Sequence, residues 1–151
     1  MKQVQHPDAI GVRVKGKNGE WDSVAIAFEE SSQALFYSIC PIKAPEAGRE
    51  QIVEFIMRAN YGMKIGNFEM DYEDGDGEIR YKTSIDVGDD RLTYALIAKL
   101  VEPNIAMMDN YLPGIMQVIV EDATPLQAIE MVEGTDAWES IDDLMGNLRT
   151  C

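Results

Sequence analysis

From Gly66 to Val87 the chain alternates apolar and polar residues twice, with a glycine-rich acidic break between the two runs. Gly66, Phe68, Met70 and Tyr72 share one face of the first run, and Asn67, Glu69, Asp71 and Glu73 the other. In the second run Ile79, Tyr81, Thr83, Ile85 and Val87 alternate with Glu78, Arg80, Lys82, Ser84 and Asp86. A period of two marks a strand with one buried face, and a slip of one residue would turn every apolar side chain outward. On the outer face an acidic strand lies beside Arg80 and Lys82, and each opposite-charge pair across strands adds about 0.2–1 kcal/mol. The stretch predicts a β-hairpin with a strongly specified register.

The break itself, Asp74-Gly75-Asp76-Gly77, invites a calcium reading because acidic residues run from Glu69 to Glu78. An EF-hand loop needs ligands at positions 1, 3 and 5, glycine at 6 and glutamate at 12. Counting from Asp71 puts Gly75 at position 5, and counting from Asp74 puts Ile79 at 6 and Ile85 at 12. Asp-Gly pairs are also what a tight turn with positive φ requires. A turn is the expectation.

Upstream, residues 10–40 read as three strands. Ile10, Val12 and Val14 alternate with Gly11, Arg13 and Lys15, and Asn18-Gly19 is a strong hairpin signal. A second strand runs from Trp21 through Val24, Ala25, Ile26, Ala27 and Phe28, and Leu35–Cys40 forms a third. Their short connections make an antiparallel meander the simplest arrangement. After Pro41 and Pro45, residues Ile52, Phe55, Ile56 and Ala59 carry helical spacing, with Val53 and Met57 widening the buried face. That predicts a helix over 46–60, stopped by Gly62.

Downstream, Ile97, Val101, Ile105, Met108, Leu112, Ile115 and Ile119 step by 4, 4, 3, 4, 3 and 4. The phase survives Pro103 and Pro113, which predicts one helix over 94–120, kinked near the prolines and capped by Thr93. Leu92 and Ile97 would form a hydrophobic staple at its start. Thr124 and Gln127 form a capping-box pattern for a further helix ending at Gly134. Asp136 and Glu139 repeat it, and Trp138, Ile141, Leu144, Met145 and Leu148 then make an apolar stripe over 137–148. No linker is long enough to separate a second domain, so 135–151 is expected as a helical extension packed on the 1–134 domain.

Composition narrows the chemistry. The chain has 151 residues and a net charge of −14, and contacts to nucleic-acid phosphate need clustered Lys and Arg. No apolar run approaches the roughly 18 residues of a membrane span, and nothing at the start resembles a secretory signal. A cytoplasmic protein with no nucleic-acid or membrane partner is expected. His6, Cys40 and Cys151 are too few and too scattered for a Cys/His zinc site. Cys40, in an apolar run, is expected to be buried and reduced. There is no GxSxG, phosphate-binding glycine loop or HExxH, so no catalytic residue, cofactor or metal ligand is assigned.

Asn60-Tyr61-Gly62, Gly66-Asn67-Phe68-Glu69, Arg80-Tyr81-Lys82-Thr83-Ser84 and Asp109-x-Tyr111-Leu112-Pro113-Gly114 resemble the signature of the YbjN family of bacterial proteins, in its cyanobacterial branch. Trp21, Phe36-Tyr37-Ser38 and Pro41 fit the same pattern, and the resemblance spans about residues 19–133. It implies an α+β fold like that of type III secretion chaperones. This is a twisted antiparallel sheet of about five strands, ordered β-β-β-α-β-β-α and covered by helices, here with extra C-terminal helices. It also implies a homodimer that binds segments of other proteins, and a role as a sensory-transduction regulator with no established catalytic residues.

Family members usually carry a full helix before the first strand, where about nine residues precede Ile10 here. The 137–148 stretch is expected to cover the surface that such a helix would cover. The function expected is that of a non-enzymatic protein-binding regulator or chaperone-like adaptor. Its nine methionines suit an adaptable partner surface. The candidate partner-binding surface is formed by Asn67, Glu69, Lys82, Ser84, Asp109 and Tyr111. The alternative is a metal-dependent enzyme or metal-binding protein using the Glu69–Glu78 acidic cluster.

Overall fold

The computed structural model describes residues 8–72 and 75–134. Its strands are β1 (Asp8–Lys15), β2 (Glu20–Phe28), β3 (Gln33–Ile39), β4 (Asn67–Met70) and β5 (Ile79–Asp86). Its helices are α1 (Arg49–Asn60), α2 (Tyr94–Val120) and α3 (Pro125–Glu133). The strands form one open antiparallel sheet in the order β1-β2-β3-β5-β4. This is the α+β fold and element order the sequence predicts, with α3 appended. The stripe at 137–148 lies outside the described residues. Among those described, no helix is long and apolar enough to cross a membrane.

The helices cover one face of the sheet. Trp21, Phe36, Phe68, Tyr81 and Thr83, all buried, share that face by strand parity and by register, as Ser38↔Tyr81 and Phe36↔Thr83 show. Phe68 meets Tyr81 edge to face at 4.8 Å and Tyr111 of α2 at 5.5 Å. Buried polar groups are paired across strands: Trp21 Nε1 donates to Ser38 Oγ at 3.0 Å, and Ser23 Oγ lies 3.3 Å from the same oxygen.

The β4–β5 hairpin is shorter than the alternation implies. β4 stops at Met70, and Tyr72, expected within the strand, lies beyond it. One backbone bond continues past it, Asp71 N to Glu78 O at 3.0 Å, and the segment after β3 then holds the connection. Cys40 N donates to Ile79 O (2.7 Å), Ala44 N to Gly77 O (2.9 Å) and Arg49 Nη1 to Tyr72 O (2.7 Å). The Lys43 ammonium pairs with the Asp76 carboxylate. The described end of the acidic break, Asp76 and Gly77, is therefore fastened to Lys43 and Ala44. Gly77, at φ +80°, is required there because a Cβ would run into the Ala44 carbonyl.

α1 follows a 3₁₀ turn at Glu46–Gly48 and buries Ile52, Phe55, Ile56 and Ala59. Val53 and Met57, expected to widen that face, point away from it, and Met57 is 66% exposed. Asn60 serves the edge strand. Its Oδ1 accepts from Phe68 N at 2.7 Å and its Nδ2 donates to Phe68 O at 2.9 Å, satisfying backbone groups of β4.

α2 runs unbroken through both prolines, and Thr93 caps it by accepting from Leu96 N at 3.3 Å. Its buried stripe is Leu100, Asn104, Met108, Leu112, Ile115 and Val118. In the first half this differs from the apolar spacing. Ile97 is 40% exposed and Leu92 is also exposed, so no buried staple forms at the helix start, while polar Asn104 is fully buried. Gly114 lets three helices meet, since a Cβ would lie 2.7 Å from Phe55 Cζ and 2.9 Å from Val132 Cγ1. The capping box of α3 is formed: Gln127 N donates to Thr124 Oγ1, and Thr124 N to Gln127 Oε1.

Candidate interaction surface

The sheet face away from the helices collects the outward residues of every strand. Register aligns them in rows: Asn67 with Lys82, Tyr37 and Val24; Glu69 with Arg80, Ile39 and Asp22; Ser84 with Leu35 and Ile26. Glu69 accepts from Arg80 Nε at 2.7 Å and Lys82 Nζ at 3.2 Å. The Arg80 guanidinium also lies over the Tyr37 ring, 4.2 Å from its centroid. At the other edge Arg13 Nη1 donates to Asp22 Oδ1 at 2.9 Å. Between these charged rims Val24, Ile26, Leu35, Tyr37 and Ile39 are all half-buried, though no helix among the described residues packs on this face.

Four of the six residues expected to form a partner surface, Asn67, Glu69, Lys82 and Ser84, therefore lie together on the open face. Asp109 and Tyr111 do not join them, because α2 crosses the opposite face. Asp109 receives the backbone of the β1–β2 turn, accepting from Lys17 N at 3.0 Å and Asn18 N at 2.8 Å. Its own carbonyl accepts from Asn18 Nδ2 at 2.9 Å. Tyr111 packs edge-on to Phe55 and Phe68 and donates its hydroxyl to Glu133 at 2.8 Å. Burial, then Glu133, raises its pKa above the ordinary tyrosine value.

The apolar centre of the open face was not assembled from the sequence. Its signal is present: Val24–Phe28 is apolar at every position, where a half-buried antiparallel strand alternates.

The acidic loop finds cations within the chain itself. Glu69 is held by Arg80 and Lys82, and Lys43 hydrogen-bonds Asp76 and holds its carboxyl below the usual range. Among the described residues, no cluster of three or more His, Cys, Asp or Glu side chains could hold a metal ion. The buried hydroxyls of Ser38 and Thr83 are engaged by Trp21 and by the Leu100 carbonyl. Burial pushes the Cys40 thiol up to about 11, far from a reactive thiolate at neutral pH.

A small α+β domain whose described helices all cover one face of its sheet is what the fold and this surface define. A family model described as "Putative bacterial sensory transduction regulator" (YbjN) matches residues 2–116. The chain belongs to the YbjN family. The match begins earlier than the resemblance at 19–133 and ends within α2, leaving α3 beyond it. No curated protein and no solved structure matches the chain.

Proposed function

We propose that the chain is a non-enzymatic cytoplasmic regulator that binds a protein partner through the sheet face opposite its described helices. The observation that carries this reading is the apolar centre Val24, Ile26, Leu35, Tyr37 and Ile39, bordered by ion-paired Arg13–Asp22 and Glu69–Arg80–Lys82. An apolar middle with a polar rim is the anatomy of protein interfaces, where tyrosine and arginine are enriched. The rim is charge-compensated: Arg13, Lys15, Arg80 and Lys82 are paired with Glu20, Asp22, Glu69 and Glu78 in a chain of net charge −14, so their contribution is to register and specificity. Asn67, Glu69, Lys82 and Ser84 supply rim hydrogen bonds. A homodimer belongs to the same reading.

The test compares tagged wild type with Ile26→Asp in affinity capture from native lysate and in sedimentation velocity. Tyr94→Glu, on the helix side, is the control. Partner proteins, and any dimer, should be lost with Ile26→Asp and kept with Tyr94→Glu. Identical capture by both variants would sink the reading.

A further inference from the structure

α1 carries a second apolar row on its outer side, where Val53 and Met57, four residues apart, are both exposed. Across from it, α3 presents Leu126, which is 48% exposed, beside Ile129. Between the two helices runs a trough of about 660 Å³ lined by Met57, Tyr61, Leu126 and Ile129, with Glu54, Arg58, Glu130 and Glu133 along its rims. Gly134 forms its end, so the chain leaves α3 from within the trough.

The next residues carry Asp136-x-x-Glu139 and then Trp138, Ile141, Leu144, Met145 and Leu148 at helical spacing. A helix over 137–148 would be about 18 Å long, enough to cover the roughly 12 Å between Val53 and Tyr61. We propose that residues 135–151 seat this apolar stripe in the trough between α1 and α3, as an internal ligand of their exposed faces. Tethering at the lip gives the segment an effective concentration on the order of millimolar or more, so a free helix or a second copy competes at a disadvantage. Charge opposes the seating: Asp136, Glu139, Asp142 and Asp143 approach a rim with Glu54, Glu130 and Glu133, where Arg58 is already paired to Glu54 at 3.0 Å. Docking is therefore driven by apolar burial and strengthened by salt, which screens charges beyond about 10 Å at 0.1 M.

Acrylamide quenching of Trp138 in the full chain, isolated by subtracting Trp138→Phe, reads the contact. The expected result is quenching several-fold weaker than that of free tryptophan, and weaker still as salt is raised. Met57→Glu and Leu126→Glu should restore full quenching, whereas Tyr94→Glu should not. If a glutamate variant loses its circular dichroism, Met57→Ala and Leu126→Ala replace them and should give intermediate quenching. Quenching in wild type equal to free tryptophan, or indifferent to the trough variants, would overturn the proposal. Protection that appears only as protein concentration rises would place the stripe on a second copy and overturn it equally.

Discussion

Asn104 occupies the buried stripe of α2 between Leu100 and Met108, where an apolar residue is the usual occupant. Its side chain is fully buried, and Nδ2 lies 2.8 Å from Phe36 O, 3.1 Å from Tyr81 O and 3.2 Å from Thr83 Oγ1. The Thr83 hydroxyl donates to Leu100 O at 2.7 Å, just before Pro103 removes a donor from the helix ladder. One amide thus joins α2 to β3 and β5 at the turn where the helix is loosest. Asn104→Ala deletes these contacts and leaves a cavity, but it also removes a buried Oδ1 that has no hydrogen-bond partner, so stability should fall by about 1–2 kcal/mol in urea unfolding. Asn104→Asp should cost more, because it buries a charge among carbonyl oxygens. Hydrophobic periodicity cannot find such a residue, since it scores a buried amide as solvent-facing. For the same reason the predicted stripe fell on exposed Ile97 while Leu100 and Asn104 took the core.

α2 is the element whose existence was most legible and whose orientation was least. Its length, its Thr93 cap and its continuity through two prolines follow from spacing alone. Which side meets the sheet depends on contacts made far along the chain. Asp109 holds the turn between β1 and β2, and Leu112 lies so near Gly19 that a Cβ there would approach it to 2.7 Å. Asp109→Ala removes the carboxylate acceptors of two backbone N–H groups and should cost about 1–2 kcal/mol. The amides of Lys17 and Asn18 should then exchange with solvent at least tenfold faster by NMR, while amides in β3 keep their protection. Unchanged exchange at those two amides would show that the turn holds itself.

Across the whole molecule, the meander of β1 to β3 was legible from its short connections, but the pairing of β3 with β5 bridges an intervening helix and strand and has no local signal. The open face escaped for a related reason: residues half-buried by neighbouring strands read as core when strands are taken singly. The aromatic centre has a consequence for pH. Burial pushes the Tyr81 hydroxyl up to about 12 and raises Tyr111 as well, whereas unfolded tyrosines ionise near about 10. The folded chain keeps protons that the unfolded chain sheds, so stability should fall as pH rises from 10 toward 12. Urea midpoints taken across that range should decline, and less steeply in Tyr111→Phe.

The strand order carries one more implication, for synthesis. β3 is flanked by β2 and by β5, which is made some 40 residues later, and the turn of the first hairpin finds Asp109 only 92 residues after Lys17. On the ribosome the first three strands emerge with the β3 edge unpaired as well as that of β1, the condition in which nascent sheets aggregate or recruit chaperones. The β3 edge stays so until β5 has cleared the exit tunnel.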